Sequence, residues 1–206
     1  MPKYNDSIEK VNGYIDNLVK VDNATISDLF YRKFNCPEGC GGCCPKFSLD
    51  YWGQRWDDFK MEYPELVENF EHRIVNGVDV WTDTQADNET RSCKYLNMEN
   101  GRCGIHTVNP MSCEFEPIKV SHNTKHKKTY VIKKLFGRGW ALTKIDGTKG
   151  AMCTMGEQSY ENVPRDIHLF KELREIAGKD NVEAVRKIDQ IIDELEHVLE
   201  INKFFT

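Results

Sequence analysis

Four cysteines fall within nine residues, Cys36-Pro37-Glu38-Gly39-Cys40-Gly41-Gly42-Cys43-Cys44, and no other stretch limits the fold as much. Pro37 and Pro45 lack an N–H, and Gly39, Gly41 and Gly42 lose most entropy when fixed, so neither helix nor strand is expected across the cluster. A loop remains. Thiols crowded into a loop either oxidise to one another or share a cation that holds them as thiolates. The other four cysteines come singly, at Cys93, Cys103, Cys113 and Cys153.

Compartment and size decide between those outcomes. With 206 residues the chain can bury a hydrophobic core and does not need cross-links merely to fold. Its first residues, Met1-Pro2-Lys3-Tyr4-Asn5-Asp6, lack the apolar run of a secretory signal, and no run reaches the roughly 18 apolar residues of a membrane span. The expectation is a soluble, cytoplasmic protein with no membrane partner. In a reducing compartment clustered cysteines are more often metal-binding or catalytic than disulfide-bonded.

Charge says less. Against 28 basic side chains stand 33 acidic ones, which gives no global attraction to nucleic acid. The exception is the stretch 122–134, where Lys125, Lys127, Lys128, Lys133 and Lys134 gather. It is read as a solvated hairpin face, and any nucleic-acid partner rests on this stretch alone.

Patterning predicts an α+β fold: a single cysteine-rich domain with short antiparallel hairpins, flanked by N-terminal and C-terminal helices. Ile8, Val11, Ile15, Leu18 and Val19 recur at helical spacing after the candidate caps Asn5 and Asp6. A second short helix is expected over 27–34, and the aromatic spacing of Tyr51, Trp52, Trp56, Phe59 and Tyr63 predicts a helix over 49–63. The run 74–81 carries Asn76-Gly77 between β-branched and aromatic residues and reads as a hairpin. Asn100-Gly101 marks a further turn. Two antiparallel strands are expected over 118–120 and 129–136, joined by the basic loop. Pro164 opens a helix that Gly178 ends, and Asp180-Asn181-Val182-Glu183 resembles a capping box before a last helix. The apolar stripe of that helix is Val185, Ile188, Ile192, Leu195 and Leu199. Three segments follow: a helical segment 1–35, the cysteine-bearing domain 36–157 and a helical hairpin 158–206.

Thiolate sulfur is polarisable and charged, so it suits zinc or the iron of an iron–sulfur cluster. Short C-x3-C and C-x2-C arcs place ligands around one ion at little closure cost, while distant cysteines complete the shell. The candidate ligands are therefore Cys36, Cys40, Cys43, Cys44, Cys93, Cys103, Cys113 and Cys153. Cys43 and Cys44 are adjacent, and neighbours in an extended segment point to opposite faces, so one tetrahedral ion does not take both. Eight cysteines fit two four-thiolate zinc ions, or one 4Fe-4S cubane with four cysteines over. His106, three residues past Cys103, could replace one sulfur, although a histidine merely beside the site is the commoner arrangement. His197 has no ligand partner at helical spacing.

These residues resemble the YkgJ-like cysteine-cluster family, a zinc- or iron-chelating domain with eight cysteines. Its C-x2/3-C-x2-C-C opening is similar to Cys36, Cys40, Cys43 and Cys44. Its middle section is similar to Cys93-Lys94-Tyr95-Leu96 followed by Cys103-Gly104-Ile105-His106, Pro110, Cys113, Phe115 and Pro117, with Cys153 as the eighth cysteine. The resemblance implies metal binding. Two departures stand out: Asn109 and Glu114 occupy positions where arginine is expected, and His106 an aromatic position. The flagellin lysine N-methylases contain a similar cysteine-rich region, which implies an iron–sulfur-dependent methyltransferase as an enzymatic alternative.

The expected function is metal binding through cysteine, with iron–sulfur ahead of zinc because vicinal thiols suit a multinuclear centre. Cys36-x3-Cys40-x2-Cys43 also has the spacing of radical S-adenosylmethionine enzymes, but Gly42 stands where those enzymes place an aromatic residue, and a short motif without its structural context is weak. The remaining alternative is a zinc-stabilised module that binds nucleic acid or protein. No G-x-S-x-G elbow, phosphate-cradling G-x4-G-K-S/T loop or H-E-x2-H helix is present.

Overall fold

The computed structural model describes residues 7–35, 49–83, 93–97, 99, 103–115, 118–133 and 154–202. The fold is α+β, with small sheets and helices toward both ends. The chain forms two compact units, one of Met1–Lys10, Asn35–Glu116 and Leu135–Thr154, the other of Val11–Phe34, Pro117–Lys134 and Met155–Thr206. Asn5 and Asp6, Cys36 to Cys44, Asn100-Gly101, residues 134–136 and Cys153 lie outside the described residues.

In the second unit, α1 (Ser7–Leu18) buries Val11, Tyr14, Ile15 and Leu18 at the predicted spacing. Val19 lies past the helix end and is exposed, so it does not extend the stripe. The short strand β1 (Ala24–Ile26) follows. The helix expected over 27–34 is a single 3-10 turn, Asp28–Tyr31, with the Leu29 N–H donating to Ser27 Oγ at 3.3 Å. From Arg32 the chain is extended as β2 (Arg32–Asn35), because it pairs with a later strand, and sheet pairing outweighs weak helical propensity.

The first unit begins its described part with β3 (Leu49–Trp52), then α2 (Gly53–Glu62). A helix expected over 49–63 is thus a strand followed by a helix. Gly53, with φ at 54°, makes the change of direction that a residue with a Cβ makes only under strain. All four residues of β3 are buried, so its aromatic pair packs without the polar alternation that marks a half-exposed strand.

The hairpin of β4 (Glu71–Val75) and β5 (Val78–Asp83) turns at Asn76 and Gly77, both with positive φ, as a two-residue turn of this hand requires. The sheet order is β3-β5-β4, antiparallel throughout, with Tyr51 opposite Trp81 and Asp50 opposite Thr82. Against it, Trp56 stacks on Trp81 at 4.9 Å between ring centroids, and Tyr51 lies 4.5 Å from Phe59. Asp50, buried in β3, accepts from Thr82 Oγ1 at 2.6 Å and pairs with Arg73 Nη2 at 3.0 Å. A 3-10 turn, His106–Val108, leads to α3 (Met111–Glu114), whose Met111 is fully buried and is followed by an equally buried Phe115.

Back in the second unit, β6 (Ile118–Asn123) and β7 (Lys128–Lys133) form the antiparallel pair that the β-branched runs predict. β1 adds to β7 in parallel, giving the order β1-β7-β6. Tyr14 donates to the Ile118 carbonyl and Asn17 Nδ2 to that of Val120, each at 3.0 Å, which fixes α1 to this sheet. β8 (Thr154–Gln158) is the partner of β2.

The last helices are α4 (Val163–Ala177) and α5 (Val182–Asn202). Pro164 sits in the first turn of α4 and Gly178, with φ at 78°, ends it. Asn181 Oδ1 accepts from the Ala184 N–H and so serves as the N-cap. The buried stripe of α5 is Ala184, Lys187, Ile188, Ile191, Ile192 and Leu195, a slight rotation from the one expected: Val185 and Leu199 are half-buried. It packs against α4, and Lys171–Glu196 and Arg174–Asp189 bridge the two helices. Among the described residues no helix is long and apolar enough to cross a membrane.

Candidate metal centre

Three of the eight expected ligands, Cys93, Cys103 and Cys113, are described, each half-buried and carrying a thiol. All three pack on one apolar cluster made by Leu49, Tyr51, Trp56, Phe59, Phe70 and Ile105. Separate pieces of local structure bring them there.

Cys93 opens a tight turn in which the Leu96 N–H donates to the Cys93 carbonyl at 3.0 Å. Leu96 then pairs across an antiparallel bridge with Cys103, and the Gly104 N–H donates to the Tyr95 carbonyl at 2.7 Å. A Cβ on Gly104 would stand 3.3 Å from that oxygen, which explains glycine there. The pairing ties the two thiols to the ends of one loop. Cys113 rides on α3, whose Cys113 N–H donates to the Pro110 carbonyl at 3.0 Å while the Phe115 N–H reaches that of Met111.

Burial pushes the Cys93 thiol upward in pKa, and the nearby Cys103 and Asp83 charges add to this. Working against them, the backbone N–H groups of Tyr95 and Leu96 donate toward its sulfur. Two N–H groups aimed at one sulfur suit a thiolate better than a thiol, and a bound cation would supply the rest of the compensation. Tyr51 is also driven upward, first by burial and then by Cys113 and Cys103, with Arg55 opposing. It therefore stays a neutral phenol beside two of the sulfurs, and its hydroxyl donates to the Val108 carbonyl at 2.7 Å.

Two of the described carboxylates beside these cysteines, Asp83 and Glu114, are already engaged. Asp83, fully buried at the end of β5, meets Lys94 Nζ at 3.1 Å and accepts from the Tyr95 hydroxyl at 2.5 Å. It thus holds the two residues that follow Cys93. Glu114 meets Arg55 Nη1 at 3.1 Å, and the same nitrogen donates to the Asn109 carbonyl at 2.6 Å. A guanidinium does reach the Asn109 and Glu114 positions, where the resemblance expects arginine, but it comes from α2. His106 is exposed, with Nδ1 3.3 Å from Asn109 Nδ2.

Among the described residues no group of three or more His, Cys, Asp or Glu side chains is arranged to hold a metal ion. Cys36, Cys40, Cys43, Cys44 and Cys153 lie outside them. Sequence reasoning did not single out Tyr51, Arg55, Asp83 or Lys94 as parts of the site. Only Lys94 and Tyr95 carried a signal, by adjoining Cys93.

Residues 35–134 match the family CxxCxxCC, whose description reads "Putative zinc- or iron-chelating domain". The match takes in seven of the eight cysteines and ends before Cys153. Comparison with curated proteins and with solved structures finds no match.

Proposed function

Because residues 35–134 are a CxxCxxCC domain, we propose that this chain binds a thiophilic metal through cysteine thiolates, as an iron–sulfur cluster ahead of zinc. The observation that carries the reading is the seating of three thiols on one aromatic cluster, with two N–H groups directed at the Cys93 sulfur. Burial still holds the Cys93 thiol above its ordinary pKa, so the two N–H groups compensate only part of a thiolate's charge and a bound cation would supply the rest. The donor set is sulfur, which selects zinc or iron over calcium or magnesium. Cys36, Cys40, Cys43, Cys44 and Cys153 would complete the shell. The preference for a cluster rests on adjacent Cys43 and Cys44, which suit a multinuclear centre.

When bound, the metal would supply either a structural link or, as a cluster, one-electron chemistry. Cys93, Cys103 and Cys113 hold their positions through the turn, the bridge and α3, and the aromatic cluster keeps water from their buried sides. A methyltransferase remains an analogy. A radical S-adenosylmethionine enzyme calls for repeated parallel strands, whereas β3-β5-β4 and β7-β6 pair antiparallel and β1 joins β7 in parallel.

The test is anaerobic purification followed by elemental analysis and an absorption spectrum. Iron with acid-labile sulfide and broad visible absorption is the expected result. Zinc alone would overturn the choice of metal, and a colourless protein with neither element would overturn the reading itself.

A further inference from the structure

The sheet β1-β7-β6 buries one face and leaves the other partly exposed. Ile118, Val120, Thr129, Val131 and Ile26 are buried on the inner face. By alternation the outer face carries Lys119, Ser121 and Asn123 of β6 and Lys128, Tyr130 and Ile132 of β7. The cross-strand register sets Thr25, Tyr130 and Ser121 in one row, Asn123 beside Lys128 in the next, and Lys119 beside Ile132 on the other side. Tyr130 is half-buried and Lys128 exposed. Beyond Lys128 the turn Thr124–Lys127 adds exposed Lys125, His126 and Lys127.

The charge of this element runs against the rest of the molecule. Residues 118–133 hold five lysines and two histidines but no Asp or Glu, in a chain whose net charge is −5. Lysine on an edge strand often serves only to discourage pairing. That reason does not extend to Lys128, which lies on the central strand, or to Lys125 and Lys127 at the tip. The tip has no large apolar residue to enter a bilayer. An aromatic ring on a sheet, with Lys128 about 7 Å along the strand and further lysines at the hairpin tip, matches a chain of unpaired bases joined by phosphates. A duplex offers no open base face for such a ring.

We propose that the outer face of β1-β7-β6 and its hairpin tip dock a single strand of nucleic acid, with Tyr130 stacking on a base and Lys125, Lys127 and Lys128 meeting phosphates. The proposal does not depend on the metal. Three or four phosphate contacts predict that affinity for a single strand falls about 20- to 50-fold between 50 and 200 mM salt.

The test uses the full chain and fluorescein-labelled oligouridylate, followed by anisotropy. Binding at 50 mM salt with that salt dependence is expected. Lys125→Glu with Lys128→Glu should weaken it by more than about tenfold, and Tyr130→Ala by about tenfold, while Tyr130→Phe stays within about twofold. Far-UV circular dichroism checks each variant, and the lysine pair decides alone if Tyr130→Ala unfolds. No binding at 50 mM salt, no effect of the lysine pair, equal binding of a duplex of the same length, or binding to anionic vesicles in place of the oligonucleotide would each overturn the proposal.

Discussion

Replacing Asp83 with alanine should loosen the Cys93 turn without altering any sulfur. The carboxylate is fully buried, and one oxygen, Oδ2, takes both the Lys94 ammonium at 3.1 Å and the Tyr95 hydroxyl at 2.5 Å. Breaking a buried ion pair from one side costs about 3–5 kcal/mol when the remaining charge is stranded. The Lys94 side chain is 23% exposed and can turn to water, which lowers that part to about 2 kcal/mol. Losing a charged acceptor for the Tyr95 hydroxyl adds about 1.5 kcal/mol. Because the two contacts share an oxygen they do not add fully, and the expected total is about 3 kcal/mol. Urea unfolding followed by tryptophan fluorescence reads it. A double-mutant cycle with Tyr95→Phe should give a coupling of about 1–2 kcal/mol. Competition against a chromophoric chelator should show metal affinity about tenfold weaker, since Asp83 orients the residues beside Cys93, a proposed ligand. A loss under about 0.5 kcal/mol, with additive effects in the cycle, would refute the claim that Asp83 holds this turn.

Other perturbations report on the two units separately. Lys187, buried on α5, donates to the carbonyls of Val21 and Asp22, so Lys187→Ala should cost about 2–4 kcal/mol in a thermal melt. Lys187→Met keeps the stem, and stability equal to the parent would show that the ammonium contributes nothing. Glu175 and Glu194 are both raised in pKa by burial, Glu175 further by Glu172. A carboxyl raised on folding adds stability that is full below its unfolded pKa of about 4.5 and is lost as pH rises through the folded value. Glu175→Gln with Glu194→Gln should therefore flatten the fall in stability just above that pH, and an unchanged slope would count against it. Stripping the metal should leave the aromatic cluster packed, since each buried aromatic contributes about 1.5–3 kcal/mol without it. The near-UV signal of the tryptophans should persist, and its collapse would mean that the core forms only with metal.

Periodicity made α1 and α5 legible, because each buries one stripe, and α4 was marked by its punctuation, Pro164 and Gly178. Asn76-Gly77 revealed its hairpin for an equally local reason, the positive φ that a two-residue turn demands. The failure at 49–63 came from a pattern that two structures share: aromatic residues spaced by one, three and four fit a helix, yet Leu49 to Trp52 pair with β5 as a strand buried on both faces. Only the φ of Gly53, invisible in the sequence, separates the two. Over 27–34 the deciding factor was equally remote, since the partner that makes Arg32–Asn35 extended lies at 154–158.

The candidate centre divides in the same way. Cysteine spacing pointed to thiolate chemistry because ligand type is written in the residue, and Cys93, Cys103 and Cys113 do pack on one apolar cluster. The residues that tune those sulfurs were not legible, because Tyr51, Arg55 and Asp83 come from β3, α2 and β5 and meet the site only through folding. Their charges matter for what the site can hold. Asp83 Oδ2 is in contact with Lys94, and Glu114 Oε1 with Arg55, so a cation seeking either of these oxygens would compete with an ammonium or a guanidinium already in place. Breaking either pair takes a carboxylate from a partly buried cation, and that cost falls on the incoming ion. The same contacts that make Asp83 and Glu114 good supports count against them as ligands, which favours the proposed role of the thiols.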